Sequence, residues 1–132
     1  MQLLPIRLSP GTDLRRALED AVRDQPVDSA FVVAGIGSLT EARLRYAGES
    51  TESTVAGPLE ILSMSGSLTP HGAHLHIAVS DGSGRVYGGH AGYGNMIRTT
   101  AEILVAPLPD WSLTREHDAQ TGFSELVVRR RE

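Results

Sequence analysis

No cysteine occurs among the 132 residues. Its absence excludes disulfides, thiolate zinc sites and cysteine nucleophiles together, so any metal must be held by imidazole and carboxylate. Lysine is missing as well, and all twelve basic residues are arginine. No run of about 18 apolar residues is present, which excludes a helical membrane span. The opening residues 1–13 lack both a charged leader and an apolar run of signal-peptide length, so cytoplasmic residence is the expectation. The formal charge of −4 argues against broad binding to nucleic-acid phosphates, which needs clustered positive charge. The one basic run, Arg129 to Arg131, reads as a solvated tail. No repeat, low-complexity tract or linker divides the chain, and one domain over 1–132 is expected.

What is present reads as one helix among many strands. Leu4, Ile6 and Leu8 alternate with the period of a half-buried strand. Leu14, Ala17, Leu18, Ala21 and Val22 then form the single apolar stripe of an amphipathic helix. Thr12 is the expected N-cap, Asp13 suits the positive end of the helix dipole, and Pro26 marks the stop. The segments SAFVVAGIGSL, TEARLRYAG, PLEILSMSGSLT, AHLHIAVSD, RVYGGH and IRTTAEILVAPL follow as strands, with DGSG as a hairpin signal. This order predicts an α+β fold with a mostly antiparallel sheet. In VVAGIGSLT the third glycine of a dinucleotide fingerprint is due at position 40, which is Thr40, and period-two alternation follows instead of a helix. Gly35 and Gly37 are therefore expected in a tight turn. No serine stands in a nucleophile-elbow setting.

Four of the five histidines fall between Ser67 and Gly94. In a strand, residues i and i+2 share a face about 6.6 Å apart, so His74 and His76 can converge on one ion. Leu75, Ile77 and Val79 would then face the core. His90 joins them only if the hairpin register allows it. A four-residue loop would pair Ser80 with Arg85 and set His90 against Leu75. An odd loop, or a bulge at Gly88–Gly89, would set His90 against His76 and Tyr87 against Val79. Three imidazoles on one ion leave a fourth position for water or substrate. The same residues also suit structural hydrogen bonding or a solvated face, and spacing leaves both readings open. His71 reads as a loop residue and His117 as surface. Glu102, on the polar face of IRTTAEILV with Arg98 and Thr100, is a candidate to orient a ligand or move a proton. Pairing with an arginine is the alternative, and Glu60 carries the same ambiguity.

The segments GPLEILSMSGSLTP, HLHIAVSDGSGRVYGGH, TTAEILV and REHDAQTGFSEL, in that order, resemble the PPC domain, named for its conservation in plants and prokaryotes. The chain looks like the stand-alone bacterial and archaeal type. The resemblance implies a compact α+β domain assembled as a homotrimer, with metal-binding histidines at His74, His76 and His90. Plant relatives follow DNA-binding AT-hook segments, but no Arg-Gly-Arg-Pro core is found here. The fold is also remotely similar to that of acetolactate decarboxylase, which holds zinc through three histidines. Fold does not fix function, and no acetolactate substrate is carried over. The expected function is a homotrimer holding zinc or another divalent ion and binding or acting on a small molecule. The alternative is a non-catalytic association module, with DNA binding third.

Overall fold

Alternation in the first residues produces β1 (Leu4–Leu8), and the apolar stripe produces α1 (Leu14–Arg23). The computed structural model describes residues 2–23 and 25–132. Leu14, Leu18 and Val22 of the stripe are buried, while Ala17 and Ala21 are half-buried. The helix is capped one residue later than the sequence predicts. Asp13 Oδ1 accepts from Arg16 N at 3.3 Å, and the Asp13 carbonyl accepts from Ala17 N at 3.0 Å. Asp13 Oδ2 also accepts from Gly94 N at 2.7 Å, which fastens the helix start to the turn before β6. Thr12 instead uses its backbone, accepting from Ile97 N.

The remaining strands are β2 (Ala30–Arg45), β3 (Ser53–Thr69), β4 (Gly72–Ser80), β5 (Val86–Ala91), β6 (Ile97–Pro107), β7 (Trp111–His117) and β8 (Ser124–Arg130). β1 and five of these form one sheet in the order β1-β6-β2-β3-β4-β5, and every pairing is antiparallel. The end of β2 also pairs with β5, Leu44 with Ala91 and Arg45 with His90. This extra pairing closes β2, β3, β4 and β5 into a ring of neighbours. The inner faces bury Leu39, Leu44, Leu59, Leu68, Leu75 and Val79, and α1 lies against β3 and β4. The chain is thus α+β and mostly antiparallel, as its pattern predicts.

Two expectations are corrected. SAFVVAGIGSL and TEARLRYAG are one continuous strand, and no tight turn exists at Gly35 and Gly37. A Cβ at Gly37 would lie 2.6 Å from the Thr100 carbonyl oxygen, so this glycine permits close approach of β6. The strand bends through register shifts at 32/34, 37/39 and 39/41 instead of breaking. Arg129 and Arg130, read from sequence as part of a solvated tail, are exposed but end strand β8 of a separate β7–β8 hairpin, opposite Ser112 and Trp111. Leu113 anchors it, buried and donating its N–H to Ser29 Oγ at 2.9 Å.

Gly66 of β3 lies opposite Leu75 between the two histidines of β4. A Cβ there would sit 2.0 Å from the His74 carbonyl oxygen and 2.9 Å from Leu75 Cα, so backbone must move to admit it. Gly66→Ala is expected to cost about 2 kcal/mol or more in urea unfolding. Gly82→Ala, which meets nothing within 4 Å, should stay within about 0.5 kcal/mol of the parent.

Candidate metal centre

Alternation along β4 sends Leu75, Ile77 and Val79 into the core and leaves His74 and His76 on the opposite face. The register of the β4–β5 hairpin then decides whether His90 joins them. Ser80 pairs with Val86, Val79 with Tyr87 and His76 with His90, so the loop is Asp81–Arg85, an odd five residues. Asp81 organises this loop. Its Oδ1 accepts from Ser83 N at 2.9 Å, Ser83 Oγ at 2.8 Å and Arg85 N at 3.0 Å. Its backbone N–H donates to the Arg85 carbonyl at 3.0 Å. The Ser83 hydroxyl, before the other donors, holds the Asp81 carboxyl below the usual range. Gly84, at φ +82°, supplies the left-handed residue that the turn requires.

The three imidazoles accordingly meet. Ring centroids are 5.0 Å apart for His74–His76, 5.1 Å for His74–His90 and 6.0 Å for His76–His90. One nitrogen from each ring lies within 4.8 Å of the other two. A tetrahedral ion with bonds of 2.0–2.1 Å needs nitrogens about 3.3 Å apart, and histidine χ2 is soft enough to supply the change. His90 Nδ1 is buried and has no hydrogen-bond partner. A buried ring nitrogen without a donor or acceptor fits a ligand atom better than a structural histidine. The donor set therefore suits zinc or a similar divalent ion.

Electrostatics favour the same state. Burial first, then His74 and the guanidinium groups of Arg45 and Arg15, push His90 down to about 4. Burial also lowers His74, with Arg115 next in effect and Glu125 opposing it. Both rings thus present neutral lone pairs at pH 7, the form that ligates.

A cleft of about 440 Å³ opens in front of His74 and His90, lined also by Arg15, Arg45, His71, Arg115, Phe123 and Glu125. His71 lines it but stands outside the three-nitrogen cluster. His117, at the end of β7 opposite Ser124, is exposed and lines none of this cleft. Glu102 stands elsewhere. It pairs in register with Arg7 of β1 and Ile36 of β2 and lines a different, larger cleft of about 640 Å³. Glu60 is exposed opposite Ser38 and Ser80. The arginines and Glu125 were not legible as site residues. They come from α1, β2, β7 and β8, and no local spacing links those segments.

Fold and site together define a small antiparallel α+β domain with an imidazole cluster open to a cleft. The profile of the Plants and Prokaryotes Conserved (PCC) domain matches residues 1–109, and the chain belongs to that family. The profile stops short of the β7–β8 hairpin, so the likeness of REHDAQTGFSEL lies beyond the family segment. A protein from Salmonella cholerae-suis (Salmonella enterica) whose structure is solved is 35% identical, with a TM-score of 0.95 over 99% of this chain and 95% of that one. The metal-containing protein AF0104 from Archaeoglobus fulgidus is 27% identical, with a TM-score of 0.82 over 96% and 94%. Among curated proteins, the bifunctional protein GlmU of Synechococcus sp. (strain JA-2-3B'a(2-13)) is 43% identical over 128 residues, 97% of this chain and 20% of that protein. The chain thus spans about a fifth of the length of the curated relatives it matches.

The lowered histidines give a signed pH dependence. Between the ordinary value of 6.5 and the folded His90 value of about 4, the unfolded chain binds more protons than the folded one. The metal-free protein should therefore be most stable above pH 6.5 and lose stability as pH falls toward 4. Urea midpoints at pH 7 and pH 5 check this, and His90→Gln should shrink the difference between them.

Proposed function

We propose that this protein is a divalent-metal centre built on a PCC domain, holding zinc or a similar ion through His74, His76 and His90. The observation that carries the reading is the convergence of three ring nitrogens within 4.8 Å on one face of a hairpin. The unpartnered His90 Nδ1 supports it, and so does the metal content of the Archaeoglobus relative. A bound ion would supply Lewis acidity toward a carbonyl, a carboxylate or water at its open position. His74 and His90 present neutral rings, and the three histidines would seat the ion against a hydrophobic sheet and open it to one cleft. Glu125 is the carboxylate lining that cleft. Activity on a small molecule, or binding of one without turnover, both fit this arrangement.

We further propose self-association as a homotrimer through the outer face of β2 and β3. Phe31, Val33, Ile36 and Leu62 are exposed there, Val33 to 53% and Ile36 to 54%. Ile36 and Leu62 line one groove together with Glu60 and Glu102. A patch of large apolar side chains on this scale marks an association surface. Glu102 would then meet a second subunit before it met the histidine cleft of its own chain.

Metal analysis of untagged protein should give about one ion per chain, and His74→Ala or His90→Ala should each abolish it. A metal-free wild type would overturn the centre. Sedimentation should give the mass of three chains, and Ile36→Arg should reduce it to one. A monomeric wild type would remove the trimer without touching the metal reading.

A further inference from the structure

The cleft in front of the imidazoles is strongly positive, and two of its three guanidinium groups stand outside any ion pair among the described residues. Arg15, Arg45 and Arg115 all line it, against Glu125 alone. Among the described residues, Arg45 and Arg115 have no carboxylate within ion-pair distance. Arg45 donates to the Glu49 carbonyl at 3.3 Å. Arg115 Nη2 donates to Ser67 Oγ at 2.7 Å. Arg15 is mostly buried and ion-paired with Glu19 at 3.6 Å, too long for a hydrogen bond, so its Nε has no hydrogen-bond partner. Its Nη1 reaches the carbonyl of Ala91, next to His90.

Arg45 and Arg115 are fastened beside the histidines by a backbone carbonyl and a hydroxyl. Arg45 lies directly opposite His90 across β2–β5. Ser67, which holds Arg115, lies opposite His74 across β3–β4. A guanidinium held by neutral partners keeps its charge and several N–H groups for a ligand, in the forked geometry that suits carboxylate and phosphate oxygens. Solvation of the charge alone does not require three such groups to converge on one cleft.

We propose that this cleft binds an oxyanion, a carboxylate or phosphate borne by a small molecule, on Arg45 and Arg115, with Arg15 backing them. The proposal rests on the metal reading in one respect: the anion would lie beside the ion and extend a second oxygen to its open position. A divalent ion surrounded by guanidinium groups is repelled by them, and an anion between relieves that repulsion. Anion and metal must therefore strengthen each other's binding by the same factor. Part of this selectivity lies outside the family segment, because Arg115 and Glu125 belong to the hairpin after residue 109.

The test uses glycolate, its neutral analogue glycolamide, and inorganic phosphate at constant ionic strength. Zinc affinity is read by competition with a chromophoric chelator, with protein-free controls for zinc bound by glycolate itself. Glycolate or phosphate should raise zinc affinity about tenfold or more, glycolamide should not, and whichever anion acts identifies the oxyanion. Arg45→Gln and Arg115→Gln should each abolish the enhancement. Arg45 is exposed, so its variant tests the proposal even if the second folds poorly. Calorimetry on metal-free protein separates the two readings. Arginine-dependent anion binding in a protein that takes no zinc would sink the metal and keep this cleft. Zinc binding that neither anion changes, with no anion bound to the metal-free protein, would overturn the oxyanion site alone.

Discussion

The pairing of His76 with His90 is the contact on which the site depends, and a loop far from the imidazoles sets it. Asp81 gathers Ser83 and Arg85 into a turn of odd length, so β5 returns along β4 with Val86 against Ser80. Because side chains alternate with period two, a shift of one residue would turn His90 to the other side of the sheet. It would also move Tyr87 off Val79. The hydrophobic face and the polar face of this hairpin therefore enforce the same register.

The second constraint is closure. A short hairpin alone is marginal in water, and β4–β5 gains its support from both flanks. On one side β3 pairs with β4, with Gly66 admitting the β4 backbone at a distance no Cβ tolerates. On the other, the end of β2 pairs with β5 and brings Arg45 against His90. Two long bent strands thus serve core and site together. Their bulges carry the bend, and the glycines permit close crossings.

The third is the hairpin β7–β8, which is tied to the body by Ser29 and Leu113 and by the Arg131–Asp28 ion pair. It does little for the main sheet, yet it walls one side of the cleft and adds a guanidinium bonded to β3. Binding residues on a segment positioned by a rigid sheet are a common arrangement.

Local pattern in the chain was enough for the helix, the period-two strands and the shared face of His74 and His76, because each rests on spacing along one segment. It was also enough to show that only imidazole and carboxylate could ligate, since cysteine is absent. The position of His90 was legible only as a choice between registers, which Asp81 settles through hydrogen bonds that composition does not display. Gly35 and Gly37 misread as a turn because the demand on them comes from other strands, from Met64 of β3 on the first and from Thr100 and Ala101 of β6 on the second. Arg15, Arg45, Arg115 and Glu125 carried no signal at all, for their meeting is a product of sheet closure and hairpin docking. Periodicity and residue chemistry are properties of neighbours in sequence, whereas a cleft is a property of neighbours in space.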